Sequence, residues 1–116
     1  MKLLSALVLV LAVAAPAALA APAPAVLHVT AAKSGLRYTH TKLTAHAGRI
    51  EIVFANPSSL PHNVRIEQGE TELGGTKTVT HATTKAFVTL KRGSYHFYCS
   101  VPGHEDAGMQ GTLVVR

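Results

Sequence analysis

The C-terminal stretch, residues 94–116, reads SYHFYCSVPGHEDAGMQGTLVVR. Up to Cys99 it alternates in the way expected of a half-buried β-strand, and from Gly111 onwards it is an apolar run that suits a second strand. Between them lie two turn signals, Pro102-Gly103 and Ala107-Gly108. The stretch therefore predicts two strands joined by a loop that turns twice.

Three side chains that bind soft metals lie at the ends of this loop and within it. Cys99, His104 and Met109 follow the pattern C-x4-H-x4-M, in which the two turns would bring the histidine and the methionine back towards the cysteine. His62, at the start of another predicted strand, would reach the same end of the fold. Two histidines, a cysteine and a weak axial methionine are the ligand set of a blue-copper site, which accepts copper in both oxidation states. The sequence therefore predicts a one-electron carrier.

Each of these residues also has a structural interpretation. A single cysteine or methionine is more often a core residue, and a single histidine more often lies at the surface. Zinc is an alternative metal because it accepts nitrogen and sulfur ligands, but methionine is a poor zinc ligand. A catalytic nucleophile at Cys99 would need a general base and an oxyanion site, and the sequence shows no such arrangement. The joint pattern favours copper.

The chain after residue 25 consists of short apolar runs separated by Gly, Pro and Asn. Residues 49–55 alternate most regularly, whereas residues 68–82 are predicted to be a loop with one weak strand around Val79. No stretch combines a helical period with sufficient length. The predicted strands imply an all-β fold, a β-sandwich of about seven or eight strands: residues 26–31, 39–45, 49–55, 62–67, 84–90, 94–99 and 111–116.

The N-terminus has the features of an export signal. A lysine is followed by an apolar run and by small residues at Ala18 and Ala20, which favours cleavage after Ala20. A retained membrane anchor is the alternative, since the apolar run is nearly long enough to span a bilayer. We expect a signal peptide at 1–20, an Ala/Pro leader at 21–25 and one domain at 26–116. The expected location is the periplasm, or the outer face of the cytoplasmic membrane if the leader is retained.

The charge and the cysteine count narrow the function further. Eleven Lys and Arg against six Asp and Glu give a net charge of +5, without the basic cluster of a nucleic-acid-binding protein. One cysteine in an exported chain cannot form an internal disulfide, which leaves a free buried thiol, an intermolecular bridge or a metal thiolate as explanations of Cys99. The histidine and methionine that follow it favour the metal thiolate. We expect a monomer that binds neither nucleic acid nor a small-molecule substrate.

Two segments carry a resemblance to a known family. Residues 98–104 and 108–113 are similar to the C-terminal copper loop of the plastocyanin and azurin family, the cupredoxins, and residues 56–64 are similar to the segment that carries the first histidine. The resemblance covers residues 26–116 and implies a Greek-key, cupredoxin-like β-sandwich. The loop spacing resembles that of auracyanin-like members, whereas Pro61 before the histidine resembles plastocyanin, so the subfamily stays open.

The resemblance implies a role for each matched residue. His62 and His104 would bind one type 1 copper ion through Nδ1, Cys99 through its thiolate and Met109 through a long axial contact. Asn63 would donate a backbone hydrogen bond to the cysteine sulfur, and its side chain would brace the loop near Ser100, which tunes the metal.

The resemblance also implies where the electron would leave. The ring edge of His104 would reach solvent within an apolar patch and pass electrons to a cytochrome or a membrane redox complex. We expect the acidic pair Glu105 and Asp106 to tune docking there, although solvated loop charges are an equal alternative. The patch would comprise Leu60, Pro61, Val101, Pro102 and Ala107.

Two other functions use related chemistry. A periplasmic copper carrier or copper-tolerance protein would use the same ligands, but such proteins more often expose several methionines, and this chain has two. A copper enzyme would need a second copper site and usually a second domain, so we expect no catalytic activity. The remaining histidines have no cysteine or carboxylate partners at ligand spacing in the sequence, so we expect structural or surface residues, with a secondary metal site formed by a pair of them as the alternative. We expect His96 to face away from the copper. These histidines are His28, His40, His46, His81 and His96.

Overall fold

The computed structural model describes residues 1–17 and 22–116. Residues 1–17 are exposed and form neither strand nor helix, and the predicted cleavage site after Ala20 lies outside the described residues. Within the described ranges no helix is long and apolar enough to cross a membrane. The described chain forms eight strands: β1 Ala25–Thr30, β2 Lys42–Ala45, β3 Gly48–Asn56, β4 Arg65–Gln68, β5 Thr71–Gly75, β6 Ala82–Leu90, β7 Gly93–Tyr98 and β8 Gln110–Val115.

The strands form two sheets, so the predicted all-β sandwich is confirmed. One sheet has three strands in the order β1-β3-β6, and the other has five in the order β2-β8-β7-β4-β5. β1 runs parallel to β3 and β2 parallel to β8, while β7 lies antiparallel to both β4 and β8. The chain crosses repeatedly between the sheets, which brings β4 and β7 together although 24 residues separate Gln68 from Gly93.

The core lies between the sheets and follows from the alternation read in the sequence. In β3 the side chains of Ile50, Ile52 and Phe54 are fully buried, while the residues between them are at least partly exposed. On the opposing sheet Phe97 and Leu113 are also buried. Each such side chain contributes about 1.5–3 kcal/mol through removal of apolar surface from water. This apolar layer fixes which residues of β7 face inwards, and Cys99 continues its inward-facing row.

The structure corrects the prediction for residues 68–82. This segment contains β5, an edge strand that pairs only with β4, and Val79 forms an isolated bridge rather than a strand. β5 lacks apolar alternation, since Leu73 is exposed and two glycines end the strand. At Gly75 an added Cβ would overlap the Val64 carbonyl, so only glycine allows this close backbone approach. Strand β4 starts at Arg65, three residues after the predicted start.

Candidate metal centre

Hydrogen bonds within the protein fix the position of His62. Its backbone exchanges two hydrogen bonds with Val79, with N–O distances of 3.1 and 2.9 Å, and its side chain is fully buried. The side-chain amide of buried Asn56 donates to the carbonyl oxygens of Leu60 and Val79, each at 2.7 Å. The turn that leads into His62 is therefore fixed to the strand before it and to the bridge beside it.

Backbone hydrogen bonds hold the predicted copper loop in its conformation. We define the loop as residues 99–109, from the end of β7 to the start of β8. Cys99 N–H donates to the Met109 carbonyl at 3.1 Å, and Met109 N–H donates to the His104 carbonyl at 3.0 Å. His104 N–H in turn donates to the Val101 carbonyl at 3.0 Å. These bonds bring the backbones of the three predicted loop ligands next to one another, and Cys99 and Met109 are both fully buried.

Three donor atoms from these two segments converge on one point. The Nδ1 atoms of His62 and His104 lie 3.1 Å apart, and the Cys99 Sγ lies 3.9 and 3.6 Å from them respectively. Ligand atoms of a tetrahedral ion with the metal–nitrogen and metal–sulfur bonds known for zinc would be separated by about 3.3–3.6 Å. The arrangement therefore fits a single metal ion, and its donor set is the one that type 1 copper prefers.

The environment keeps the first histidine neutral. Burial lowers the pKa of His62 below its ordinary value, and the nearby His104 lowers it further. A neutral imidazole has a lone pair available for a metal, whereas a protonated one has none. The surroundings of His62 thus favour the neutral form that metal binding needs.

Asn63 braces the two segments against each other, as the resemblance implied for its side chain. Its Oδ1 accepts from Ser100 N–H at 2.9 Å, and its Nδ2 donates to Ser100 Oγ at 2.9 Å and to Thr78 Oγ1 at 3.0 Å. The expected bond from its backbone N–H to Cys99 Sγ is absent from the hydrogen bonds of the described residues. Asn63 therefore connects the His62 segment to the loop through its side chain.

A buried tyrosine completes the brace and was missed by sequence reasoning. The Tyr38 hydroxyl donates to the Asn63 carbonyl at 2.6 Å, and its ring packs on Phe97 with ring centroids 5.2 Å apart. Burial first, and the Cys99 thiolate charge second, raise the pKa of Tyr38 far above its ordinary value. The raised pKa favours the protonated hydroxyl, which donates the hydrogen bond to this segment.

The sequence analysis also did not identify other residues whose hydrogen bonds support the site. Some of them lie in a recognisable sequence pattern, and others do not. Asn56 and Ser58 belong to the stretch Asn-Pro-Ser-Ser at residues 56–59, whose residue types are typical of a turn, and Asn56 Oδ1 accepts from the Ser58 N–H in the usual manner of an Asx turn. Thr78 offered no signal, because nothing in an isolated threonine shows that it will meet a residue 15 positions earlier.

Comparison with known proteins identifies the family. The family described as copper binding proteins, plastocyanin/azurin family, matches residues 25–116. The chain belongs to this family. Plastocyanin from Rumex obtusifolius is 32% identical over 91 residues, which cover 70% of this chain and 89% of the plastocyanin. Members of the family bind one type 1 copper and transfer electrons.

Solved structures support the fold of this cupredoxin. Auracyanin from Roseiflexus castenholzii superposes with a TM-score of 0.74 at 22% identity, over 82% of this chain and 99% of that one. Auracyanin A from Chloroflexus aurantiacus gives a TM-score of 0.74 at 23% identity, over 81% and 100%. A purple cupredoxin from Nitrosopumilus maritimus gives 0.60 at 19% identity, over 77% and 98%. These three structures share the fold of this chain.

The second histidine of the cupredoxin site lies nearer the surface than the first. His104 is half-buried, whereas His62 is fully buried. The residues predicted to surround His104 are exposed or half-exposed, and all of them are uncharged: Leu60, Pro61, Val101, Pro102 and Ala107. The structure thus gives the site one side that is accessible from solvent.

His96 faces away from the Cys99 row, as predicted, but it is not isolated from carboxylates. The buried side chains of Tyr95 and Phe97 flank it on the inward face, and its own ring is partly exposed on the outer one. Its Nε2 lies 3.9 Å from a carboxylate oxygen of Glu67 and 3.9 Å from one of Glu105. The spacing of residues in the sequence did not reveal these carboxylate neighbours, because Glu67 lies on the adjacent strand β4 and Glu105 in the loop after β7.

Proposed function

We propose that this cupredoxin is a periplasmic one-electron carrier that works between redox proteins. The observation that carries the proposal is the convergence of the His62, Cys99 and His104 donor atoms within 3.1–3.9 Å in a site built by two separate segments. His62, Cys99 and His104 would hold the ion, with Met109 as the axial ligand. A bound type 1 copper supplies a Cu(II)/Cu(I) couple without large rearrangement of its ligands.

The chain's own residues provide rigidity and exclude water. His62, Cys99 and Met109 are each fully buried, so solvent water has little access to their ligand atoms. The bonds of Asn63 and the backbone bridge at Val79 hold the segments in place in the absence of a metal. Such burial favours an electron carrier over the alternative of a copper carrier, because a carrier must release its ion to a partner.

The exposed side of the site supports docking of a redox partner at His104. Uncharged side chains such as Leu60, which is 41% exposed, would allow close approach of a second protein without desolvation of charges. We propose that the partner is a cytochrome or a membrane redox complex. The periplasmic location is supported by the signal-peptide features of residues 1–20.

The ligand assignment is tested by the visible absorption and EPR spectra of the full chain loaded with Cu(II). We expect an intense blue or green thiolate-to-copper band with narrow copper hyperfine splitting in the wild type. Cys99→Ser should lose that band, whereas His28→Gln, a change at an exposed histidine of β1, should retain it. A pale tetragonal copper spectrum that is unchanged in Cys99→Ser would remove the type 1 assignment.

The docking side is tested by stopped-flow oxidation of reduced c-type cytochrome by the Cu(II) protein. Leu60→Asp should slow the bimolecular rate several-fold while the absorption band stays unchanged, since a buried charge at the contact is unfavourable. The matched control is Val26→Asp, at a side chain of β1 that is 52% exposed. Equal rates for both variants would exclude the patch as the electron exit.

A further inference from the structure

A second group of potential ligands lies on the outer face of the five-stranded sheet, outside the copper site. Glu67 of β4 and His96 of β7 are direct partners in the register of the two strands, so their side chains lie on the same face. Glu105 reaches the same place from the copper loop. One ligand atom from each of the three residues lies within 4.8 Å of the other two.

The charges of this group are not balanced by basic residues. Elsewhere in the described chain Glu51 pairs with Lys85 and Glu72 pairs with Arg65. Glu67 and Glu105, by contrast, have only the His96 ring as a partner among the described residues. Two carboxylates therefore converge on one imidazole on a protein that is basic overall.

The distances show that the imidazole does not hydrogen-bond either carboxylate. Its Nε2 lies 3.9 Å from each carboxylate oxygen, well beyond the ordinary donor–acceptor distance of about 2.7–3.2 Å. Ligand atoms of a tetrahedral zinc ion lie about 3.3 Å apart, so a movement of about half an ångström would bring each carboxylate oxygen to ligand spacing from the imidazole nitrogen. The two carboxylate oxygens lie within 4.8 Å of each other, so small side-chain rotations would complete the group. The exposed fractions of 22% for Glu67 and 39% for Glu105 leave the side chains room to make such adjustments.

The surroundings also hold the ring. The His96 ring stacks on Tyr98 with ring centroids 5.6 Å apart and an interplanar angle of 14°. This stacking limits the rotation of the imidazole and keeps it beside the two carboxylates on the outer face of the sheet.

We propose that Glu67, His96 and Glu105 form a second metal site, which binds a divalent cation such as zinc through one imidazole nitrogen and two carboxylate oxygens. Three protein ligands of this kind leave a fourth position for water. The proposal is independent of the copper assignment, since no ligand is shared between the sites.

Such an ion would act on the copper loop from outside. Glu105 follows His104 directly, so a metal bound to Glu105 would fasten this part of the loop to β4 and β7. Its positive charge would also favour the reduced, less positively charged copper. Zinc binding should therefore shift the reduction potential of the copper protein to a more positive value.

The proposal is tested by calorimetric titration of the copper-loaded full chain with zinc chloride, with the blue band recorded throughout. The wild type should bind one zinc ion without loss of the band. His96→Gln and Glu67→Gln should each weaken zinc binding by at least about tenfold, as expected for removal of a ligand. The matched controls His28→Gln and Glu70→Gln change the same residue types at exposed positions and should bind zinc as the wild type does.

A zinc titration of the copper-free protein provides a second measurement, which does not depend on the type 1 site. There the wild type should bind one more zinc ion than His96→Gln. The proposal would be overturned if the wild type failed to bind zinc, if His96→Gln retained full affinity, or if binding required displacement of copper. An unchanged reduction potential in the zinc-bound wild type would overturn the proposed action on the loop.

Discussion

Asn63→Ala is the change that most directly tests how the site is held before a metal binds. The substitution removes three hydrogen bonds of the Asn63 side chain. Two of them join it to Ser100 in the copper loop, and one joins it to Thr78, next to the bridge at Val79. It changes neither a predicted ligand nor the backbone. Its effect therefore measures the brace alone.

The expected magnitude follows from the accessibility of the partners. Asn63 is buried, but Ser100 and Thr78 are exposed residues, so water can partly replace the side chain at their hydroxyl groups. The two hydroxyl bonds should each contribute about 0.5 kcal/mol, and the bond from Ser100 N–H about 1 kcal/mol. We expect Asn63→Ala to lower the free energy of unfolding by about 2 kcal/mol.

Urea denaturation of the copper-free full chain measures this loss, with Ser100→Ala and Thr78→Val as matched controls. Each control removes one hydroxyl bond and should cost about 0.5 kcal/mol. Copper affinity should fall in Asn63→Ala by a larger factor than in either control, because only that variant frees the start of the loop. A loss in Asn63→Ala no greater than that in Ser100→Ala would refute the account of the brace.

Two further predictions concern the packing beneath the site. An added Cβ at Gly111 would overlap the Phe97 ring, so Gly111→Ala should lower the free energy of unfolding by about 2–3 kcal/mol in thermal or urea denaturation. Thr112→Ala, at the exposed neighbour, is its control, and equal losses would contradict the overlap. Because the folded-state pKa of Tyr38 is raised, the unfolded chain ionises first, and stability should decline as pH rises above about 10. Tyr38→Phe should lose about 1–2 kcal/mol at pH 8 through its bond to Asn63. It should also show a decline smaller by about 1 kcal/mol between pH 8 and 11, and an unchanged decline would exclude Tyr38 as its source.

The alternation of apolar residues was sufficient to predict most of the fold. Residues 49–55 alternate over their whole length, and the strand there forms with its three largest apolar side chains inward. β5 could not be predicted in the same way. It is short, exposed and ends in two glycines, and it forms because its backbone pairs with β4. Edge strands of this kind depend on a neighbour that the local sequence does not reveal.

The donor atoms of the site were predictable for a different reason. Cysteine, histidine and methionine rarely occur together in one short loop. The turns between them indicated how the loop folds back. The cluster of Glu67, His96 and Glu105 gave no such indication. Their proximity depends on the pairing of β4 with β7 and on the path of the loop, so it required the structure.

The copper loop is fixed at its start, along its course and at its end by independent contacts. Asn63 holds the start through Ser100 N–H, and the bond from Cys99 N–H to the Met109 carbonyl closes the end. Between them the Gln110 side chain donates to the Glu105 carbonyl at 3.1 Å. These contacts are independent of the ligand atoms, and the Nδ1 atoms of His62 and His104 lie 3.1 Å apart. Ligands that are fixed by contacts within the protein have little freedom to rearrange when a bound metal changes its charge, and this is the condition for rapid one-electron transfer.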